Sequence, residues 1–290
     1  MSLKSWILAS RPKTLPAAIA PVLVGTSLAY HVGKFQLVPA SICLLFALLI
    51  QIATNFANDY FDFKKGADKE DRIGPARAVA SGLIGPETMK RVTGVTFAIA
   101  FIVGLGLIPY GGWWLLAVGI SSILCGYAYT AGPLPLAYVG LGDIFVLVFF
   151  GIVAVCCTFY VQVGFVSMDA FLAATAIGGL STNLLVVNNL RDVDTDRRAS
   201  KRTLVVRLGR VFSLWEYRLF LLWSQVAVVW MAFRLNDSWV QLPILILPFG
   251  IALWIALPKA QSAEDFNRLL ARTALFLVLY STTLSFGLMI

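Results

Sequence analysis

The chain has 290 residues, of which 59% are hydrophobic and only 13% charged, and its mean hydropathy is +0.82. An ordinary soluble domain is nearer a quarter charged, so the composition excludes that class and points to a polytopic membrane protein. The net charge of +8 is not a nucleic-acid signature: all 23 basic residues except Lys34 and Arg234 fall in segments that one membrane orientation puts on the cytoplasmic side, as the positive-inside rule requires.

The N-terminal stretch MSLKSWILASRPK is basic, carries Trp6, and reads as an interfacial segment rather than a cleaved leader. Nine apolar blocks follow, at 14–32, 38–57, 91–108, 112–130, 140–161, 169–190, 211–233, 240–257 and 270–288. Each approaches the roughly 20 residues that a helix needs to cross a hydrocarbon core of about 30 Å. The blocks are apolar all round, and in lipid the backbone must satisfy its own polar groups, which favours helices. The unbroken run IFVLVFFGIVAVCC (144–157) argues against the alternation of a membrane barrel. The predicted architecture is an all-α polytopic membrane protein, one domain over residues 1–290. About nine transmembrane helices surround a central cavity, and the 2–3 and 6–7 loops form a cytoplasmic cap. An odd number of spans puts the N-terminus and the long loops in the cytoplasm and the C-terminus outside.

Two inner loops are long, 58–90 and 191–210. The first opens with NDYFDFKKGADKEDR (58–72), which holds five of the chain's 15 acidic residues: Asp59, Asp62, Asp68, Glu70 and Asp71. The second is entered through NNLRDVDTDRRASKR (188–202). Asn55 precedes Asp59 by four, as Asn188 precedes Asp192, which suggests an internal pseudo-repeat with motifs at 55–72 and 188–202. Helical spacing puts Asn55, Asp59 and Asp62 on one face, and Asn188, Asp192 and Asp196 on another. Carboxylates opposed across a cavity need a counter-charge. His31 is the only histidine and the four cysteines lack metal-ligand spacing, so a hard divalent cation fits best: Mg²⁺, with Mn²⁺ accepting the same oxygen ligands. Lys64, Lys65, Arg72 and Arg77 follow the first motif, and Arg191, Arg197, Arg198, Lys201 and Arg202 accompany the second. Such cations suit phosphate oxygens. Acid for a metal and base for phosphate reads as a site for a diphosphate ester, with its organic tail, a lipid, in the membrane. Two other readings compete. Acidic residues after a membrane helix are commonly solvated, but two motifs that each begin with Asn at helical spacing weigh against this. A cation-coupled transporter would carry its acids near the midplane, whereas these lie at the cytoplasmic ends.

These segments resemble the UbiA superfamily of intramembrane prenyltransferases, whose members carry two Asp-rich motifs after the second and sixth of nine helices. The resemblance is carried by RPKTLPAAIAPVLVG (11–25), NDYFDFKKGADKEDRIGPARAVASGLI (58–84), AGPLPLAYVGLGDIFVLVFFG (131–151) and NNLRDVDTDRRASKRTLVVRLG (188–209). It implies that Asp59, Asp62, Asp192 and Asp196 are catalytic and hold Mg²⁺. Asn55 and Asn188 would lie at the substrate, and Lys65, Arg77, Arg191, Lys201 and Arg202 would contact the diphosphate. Ubiquinone-type members often have a third Asp where this chain has Gly66; Asp68 lies two residues further on. That departure favours the branch acting on 1,4-dihydroxy-2-naphthoate. The implied reaction moves a polyprenyl group from polyprenyl diphosphate to that acceptor with loss of diphosphate and CO₂, giving demethylmenaquinol on the way to menaquinone. Another aromatic acceptor, such as 4-hydroxybenzoate or homogentisate, is the nearest alternative. The implied setting is the lipid bilayer of a bacterial cytoplasmic membrane. Phe56, Tyr60, Phe145 and Phe149 are candidates to face an allylic cation. Two readings stay open for Asp143 in GLGD: a helix N-terminal acid favoured by the dipole, or a group that helps deprotonate the acceptor ring. Arg11 and Lys13 are likewise either surface anchors or contacts for the acceptor carboxylate.

Overall fold

A computed structural model describes residues 2–66, 77–133 and 135–290. Asp68, Glu70, Asp71, Arg72 and the Gly74-Pro75 turn lie outside the described residues. Within them the chain is helical and contains no strand.

Ser2 caps α1 (Leu3–Ser10) by accepting the Ser5 N–H at 3.3 Å. The helix stops at Arg11, whose φ of 51° is left-handed. Pro12 then opens a short 3₁₀ turn, and Pro16 opens α2 (Pro16–His31), at a position where a missing N–H costs nothing. Next come α3 (Leu37–Lys64), α4 (Pro86–Leu105), the single turn α5 (Ile108–Gly111) and α6 (Trp114–Ala128). α7 (Gly142–Val146) runs through a π-helical stretch, Leu147–Val153, into α8 (Ala154–Val163). After α9 (Met168–Arg198) and α10 (Leu204–Leu235), a 3₁₀ stretch (Ser238–Ile246) leads into α11 (Leu247–Ala256). A reciprocal Ser262–Asp265 capping box opens α12 (Ala263–Met289).

Seven of these segments are long and apolar enough to cross a membrane: Leu37–Lys64, Pro86–Leu105, Gly142–Val163, Met168–Arg198, Leu204–Leu235, Ser238–Lys259 and Ala263–Met289. The predicted blocks at 14–32 and 112–130 fold as helices of 16 and 15 residues. They fall short of the roughly 20 residues a span needs, so seven of the nine expected spans are long and apolar enough to cross on their own, by length and composition. The long inner loops also contract, because α3 stays helical to Lys64 and α9 to Arg198. Asp59 and Asp62 of the first motif and Asp192 and Asp196 of the second therefore sit on helical turns rather than in loops. In α10 the helix breaks at Gly209, with φ 85°, where the absence of a Cβ makes that backbone accessible.

α9 is the axis of the bundle: 83% of its most apolar window is buried inside the protein. It packs against α10, α12, α2 and the π-helical stretch. Small residues permit the approach. A Cβ added to Gly178 would lie 2.7 Å from the Leu147 carbonyl oxygen and 2.9 Å from the Gly151 Cα. α12 closes the ring onto α2, and α3 joins α2 to α4 and α6. Hydrogen bonds mark two polar ends. At one, His31 Nδ1 lies 3.1 Å from the Leu288 carbonyl oxygen, and Arg234 Nε donates to Asp169 at 2.8 Å. Asp169 is a buried first-turn residue of α9 held by that ion pair. The opposite end carries both acidic motifs.

Candidate functional site

The first motif occupies the last turns of α3. Asn55 Nδ2 donates to the Ser10 carbonyl at 2.9 Å and to Thr14 Oγ1 at 3.1 Å, and Gln51 donates to the same hydroxyl at 3.0 Å. These bonds pin the N-terminal segment across α3. Asp59 is 1% exposed. Its carboxylate accepts the backbone N–H groups of Ala78 at 3.0 Å and Val79 at 3.1 Å, so it anchors the returning chain. One turn on, Asp62 accepts from Arg77 Nη2 at 3.2 Å and from the Tyr138 hydroxyl at 3.1 Å. Lys65 caps the helix. Its Nζ donates to the Thr130 carbonyl at 2.6 Å and lies 4.2 Å from the centroid of the Tyr138 ring.

The second motif is built around Arg191 on α9. Its Nε and Nη2 grip both oxygens of Asp192 at 2.7 Å, a bidentate charge-assisted pair. Nη2 also donates to Asn188 Oδ1 at 2.7 Å, and Nη1 to Asn267 Oδ1 of α12 at 2.8 Å. Asp196 pairs with Lys201 at 3.3 Å, while its buried Oδ2 has no partner among the described residues. The Arg202 side chain is exposed; its backbone N–H donates to the Tyr138 carbonyl at 2.9 Å.

The two motifs meet through residues that sequence reasoning did not single out. Tyr138, in the loop between α6 and α7, touches Asp62 and Lys65 of the first motif. Its ring centroid also lies 5.8 Å from Lys201 Nζ of the second. Burial and the charges of Asp62 and Asp196 push its hydroxyl well above the ordinary tyrosine range, so it remains a proton donor. Burial likewise pulls Lys65 below the usual lysine range, against the raising influence of Asp62. Tyr129 lies within the field of Asp143, Asp196 and Asp62. Arg11 reaches in from the N-terminal segment: burial lowers its pKa while Asp59 and Asp62 raise it and Arg191 opposes them. Its buried Nη2 has no partner among the described residues. Asn58 accepts from Thr130 Oγ1 at 2.8 Å. Asn58 and Tyr138 stood in plain view inside the quoted words 58–84 and 131–151. The missing signal was that the 131–141 loop folds back between the motifs.

Beneath this layer lies a cavity of about 310 Å³. Asn55, Asn58, Asn188, Arg11 and Lys13 line it together with apolar side chains of α2, α3 and α6 to α8. The four motif carboxylates do not line the cavity. They lie on the same ends of α3 and α9 as Asn55 and Asn188, a turn or more further along. Phe145 and Phe149 line the cavity, with their rings stacked 5.8 Å apart at 7°. Phe56 and Tyr60 do not line it: Phe56 packs edge-on against Trp6 at 5.4 Å, and Tyr60 against Phe61 at 4.9 Å. Asp143 is 5% exposed in the first turn of α7 and is likewise absent from the cavity wall.

Among the described residues no three Asp, Glu, His or Cys side chains gather as a metal cluster. The donor set nonetheless suits a hard cation, because it is made of oxygens and one buried Asp196 oxygen lacks a partner among the described residues. Asp62, Asp192 and Asp196 are each paired with a basic side chain. A bound cation would compete with Arg77, Arg191 and Lys201 for these carboxylates and would leave those side chains available to an anion.

The UbiA prenyltransferase family matches residues 18–286. An Escherichia coli K12 protein described as 1,4-dihydroxy-2-naphthoate octaprenyltransferase is 41% identical over 252 residues, covering 84% of this chain and 82% of its own. The Haemophilus influenzae protein of the same description is 36% identical, covering 99% of this chain and 96% of its own. Among solved structures, a UbiA homolog from Archaeoglobus fulgidus bound to DMAPP and Mg²⁺ superposes with a TM-score of 0.68 at 14% identity, over 98% of this chain and 99% of that one. The chain belongs to the UbiA prenyltransferase family.

Proposed function

We propose that the protein is a membrane-embedded aromatic prenyltransferase. It transfers a polyprenyl group from polyprenyl diphosphate to 1,4-dihydroxy-2-naphthoate with loss of diphosphate and CO₂, giving demethylmenaquinol. The observation that carries this reading is the layering: paired carboxylates and cations at one end of an apolar cavity whose wall is completed by stacked phenylalanines. The acceptor is supported by the descriptions of the relatives and by the match over nearly the whole chain.

Asp62, Asp192 and Asp196, with Asp59 behind them, would hold Mg²⁺ on the diphosphate. When bound, Mg²⁺ neutralises charge that develops on the leaving group. Support for the metal comes from the oxygen donor set and from the Mg²⁺ bound to the Archaeoglobus homolog. Arg77, Arg191, Lys65 and Lys201 take the remaining phosphate charge, and aimed donors of this kind stabilise a departing anion. The bond between the allylic carbon and the diphosphate oxygen breaks, with its electron pair leaving on the diphosphate. The ring attacks that carbon, and the carboxylate leaves as CO₂, returning its electron pair to the ring. Phe145 and Phe149 present apolar π faces to the allylic cation and exclude water from it. Arg11 is the natural partner for the acceptor carboxylate, since it lines the cavity and its Nη2 has no partner among the described residues.

The test is turnover by detergent-purified protein given a polyprenyl diphosphate, Mg²⁺ and 1,4-dihydroxy-2-naphthoate or 4-hydroxybenzoate, with products identified by mass. A prenylated, decarboxylated naphthalene that disappears with a chelator is the expected result. Product from 4-hydroxybenzoate alone would overturn the acceptor and keep the chemistry. No product from any aromatic acceptor would overturn the enzyme.

A further inference from the structure

The acidic motifs are far apart in sequence, and each carries its own basic partners. One side chain belonging to neither joins them. Tyr138 donates its hydroxyl to Asp62 at 3.1 Å, and one ring serves two ammonium groups, Lys65 Nζ at 4.2 Å and Lys201 Nζ at 5.8 Å from its centroid. The Tyr138 backbone is held at both its N–H and its carbonyl. The N–H donates to the Pro135 carbonyl at 2.8 Å, and the carbonyl accepts the Arg202 N–H at 2.9 Å. Gly140, two residues on, permits this docking. Its φ is +76°, and an added Cβ would lie 2.8 Å from the Arg202 carbonyl oxygen. The loop is thus seated on the chain that leaves the second motif while its aromatic ring reaches the first.

We propose that Tyr138 is a positioning residue for diphosphate binding: its ring holds Lys65 and Lys201 beside one another so that cations from both motifs close on a single diphosphate. The physical case is electrostatic. Two ammonium groups brought together repel, and a shared aromatic ring offsets part of that repulsion. Among the described residues no carboxylate lies within ion-pair distance of Lys65, and the ring and the Thr130 carbonyl are its partners there. Lys201 is shared between the ring and Asp196. Without the ring, the two flexible lysine stems are free to turn into solvent, and their ordering is charged to the binding step. Tyr138 acts through the lysines and makes no bond to the substrate in this account. The inference rests on the prenyl diphosphate reading given above.

The test compares wild-type full-length protein, Tyr138→Leu and Tyr138→Phe in detergent. Each is titrated with geranyl S-thiodiphosphate, which resists cleavage, in the presence of Mg²⁺. Loss of the ring should raise Kd about tenfold, the scale of a partly desolvated cation–π contact. Tyr138→Phe, which keeps the ring, should stay within about twofold of wild type. In a Lys65→Gln/Lys201→Gln background, Tyr138→Leu should change Kd by less than about twofold, because its partners are gone. If Tyr138→Leu does not purify folded, Tyr138→Met supplies bulk without a π face in the same comparison. A Kd in Tyr138→Leu close to wild type overturns the inference, as does a tenfold rise that persists in the double-glutamine background. Wild-type turnover judges the parent reading separately. Protein that binds the thiodiphosphate but forms no prenylated product would sink that reading and leave the Tyr138 comparison standing.

Discussion

Individual side chains in this site divide into those that build the fold and those that stay exchangeable, and the division changes what a mutation should do. The Asp59 carboxylate is committed to the Ala78 and Val79 N–H groups. Asp59→Asn would turn an amide NH₂ towards one of these donors and leave it unsatisfied, at a cost of about 1–3 kcal/mol. A lowered melting temperature in detergent is expected together with lost turnover. Asp196→Asn should behave differently. Its partner Lys201 is partly exposed and returns to water without a large cost. Turnover should fall at least about 100-fold, the scale of losing one charge-stabilising group, with the melting temperature nearly unchanged. A stable Asp59→Asn variant, or a destabilised Asp196→Asn variant, would reverse these assignments. The aromatics divide in the same way. Phe149→Ala removes a cavity wall and a π face and should lower kcat by roughly tenfold in single-turnover measurements, whereas Phe56→Leu, packed against Trp6, should leave kcat close to wild type. Spacing alone could not separate Phe56 from Phe149. Both stand in apolar helices, and only the bundle decides which one turns to the cavity.

At the scale of elements, close helix contacts set the width of the cavity. Gly178 of α9 meets the Leu147 carbonyl oxygen and the Gly151 Cα, both backbone atoms that cannot swing aside. Gly178→Ala should therefore push α9 away from the π-helical stretch and destabilise the protein by about 1–3 kcal/mol, as overpacking does. Thermal unfolding in detergent, run beside Gly119→Ala where an added Cβ meets nothing within 4 Å, isolates the packing effect from the change in propensity. Equal melting temperatures for the two variants would remove the contact from the account. Helix existence was legible in the sequence because the blocks are apolar all round. Their ends were not. Asp59, Asp62, Asp192 and Asp196 read as loop residues by polarity, yet α3 and α9 carry them as helix because each finds a hydrogen-bond or ion-pair partner there. The spacing argument for two polar faces survived for that reason. The contribution of the 131–141 loop was invisible, since nothing local in AYVGLGD signals that Tyr138 will stand between two distant motifs.

For the whole molecule, the hydrogen bonds at the two ends of the bundle define its direction in the membrane. One end carries His31 with Leu288, Arg234 with Asp169, and Gln36 with Gln162. The other carries Asp62 with Tyr138, Lys65 with Thr130, and Arg191 with Asn267. α2 thus ends beside the end of α12, and α12 begins beside the second acidic motif. So even the short α2 and α6, whose last residues are tied to one end or the other, run between the same two faces as their longer neighbours. The N-terminal segment is pinned to the motif end by Asn55, which donates to Ser10 and Thr14. The C-terminus lies at the opposite end, next to His31. Among the described residues, Lys34 and Arg234 are the basic residues at that opposite end, and Arg234 is neutralised by Asp169. By the positive-inside rule we expect the motif end to face the cytoplasm. Single cysteines placed at Ser2 and Ile290, in a background with Cys43, Cys125, Cys156 and Cys157 replaced by serine or alanine, test this in intact cells. A membrane-impermeant maleimide should label Ile290→Cys from outside and reach Ser2→Cys only after the membrane is opened. Labelling of Ser2→Cys in intact cells would invert the molecule and put the proposed diphosphate site on the outer face. Labelling of both would mean that one of the two short helices fails to cross.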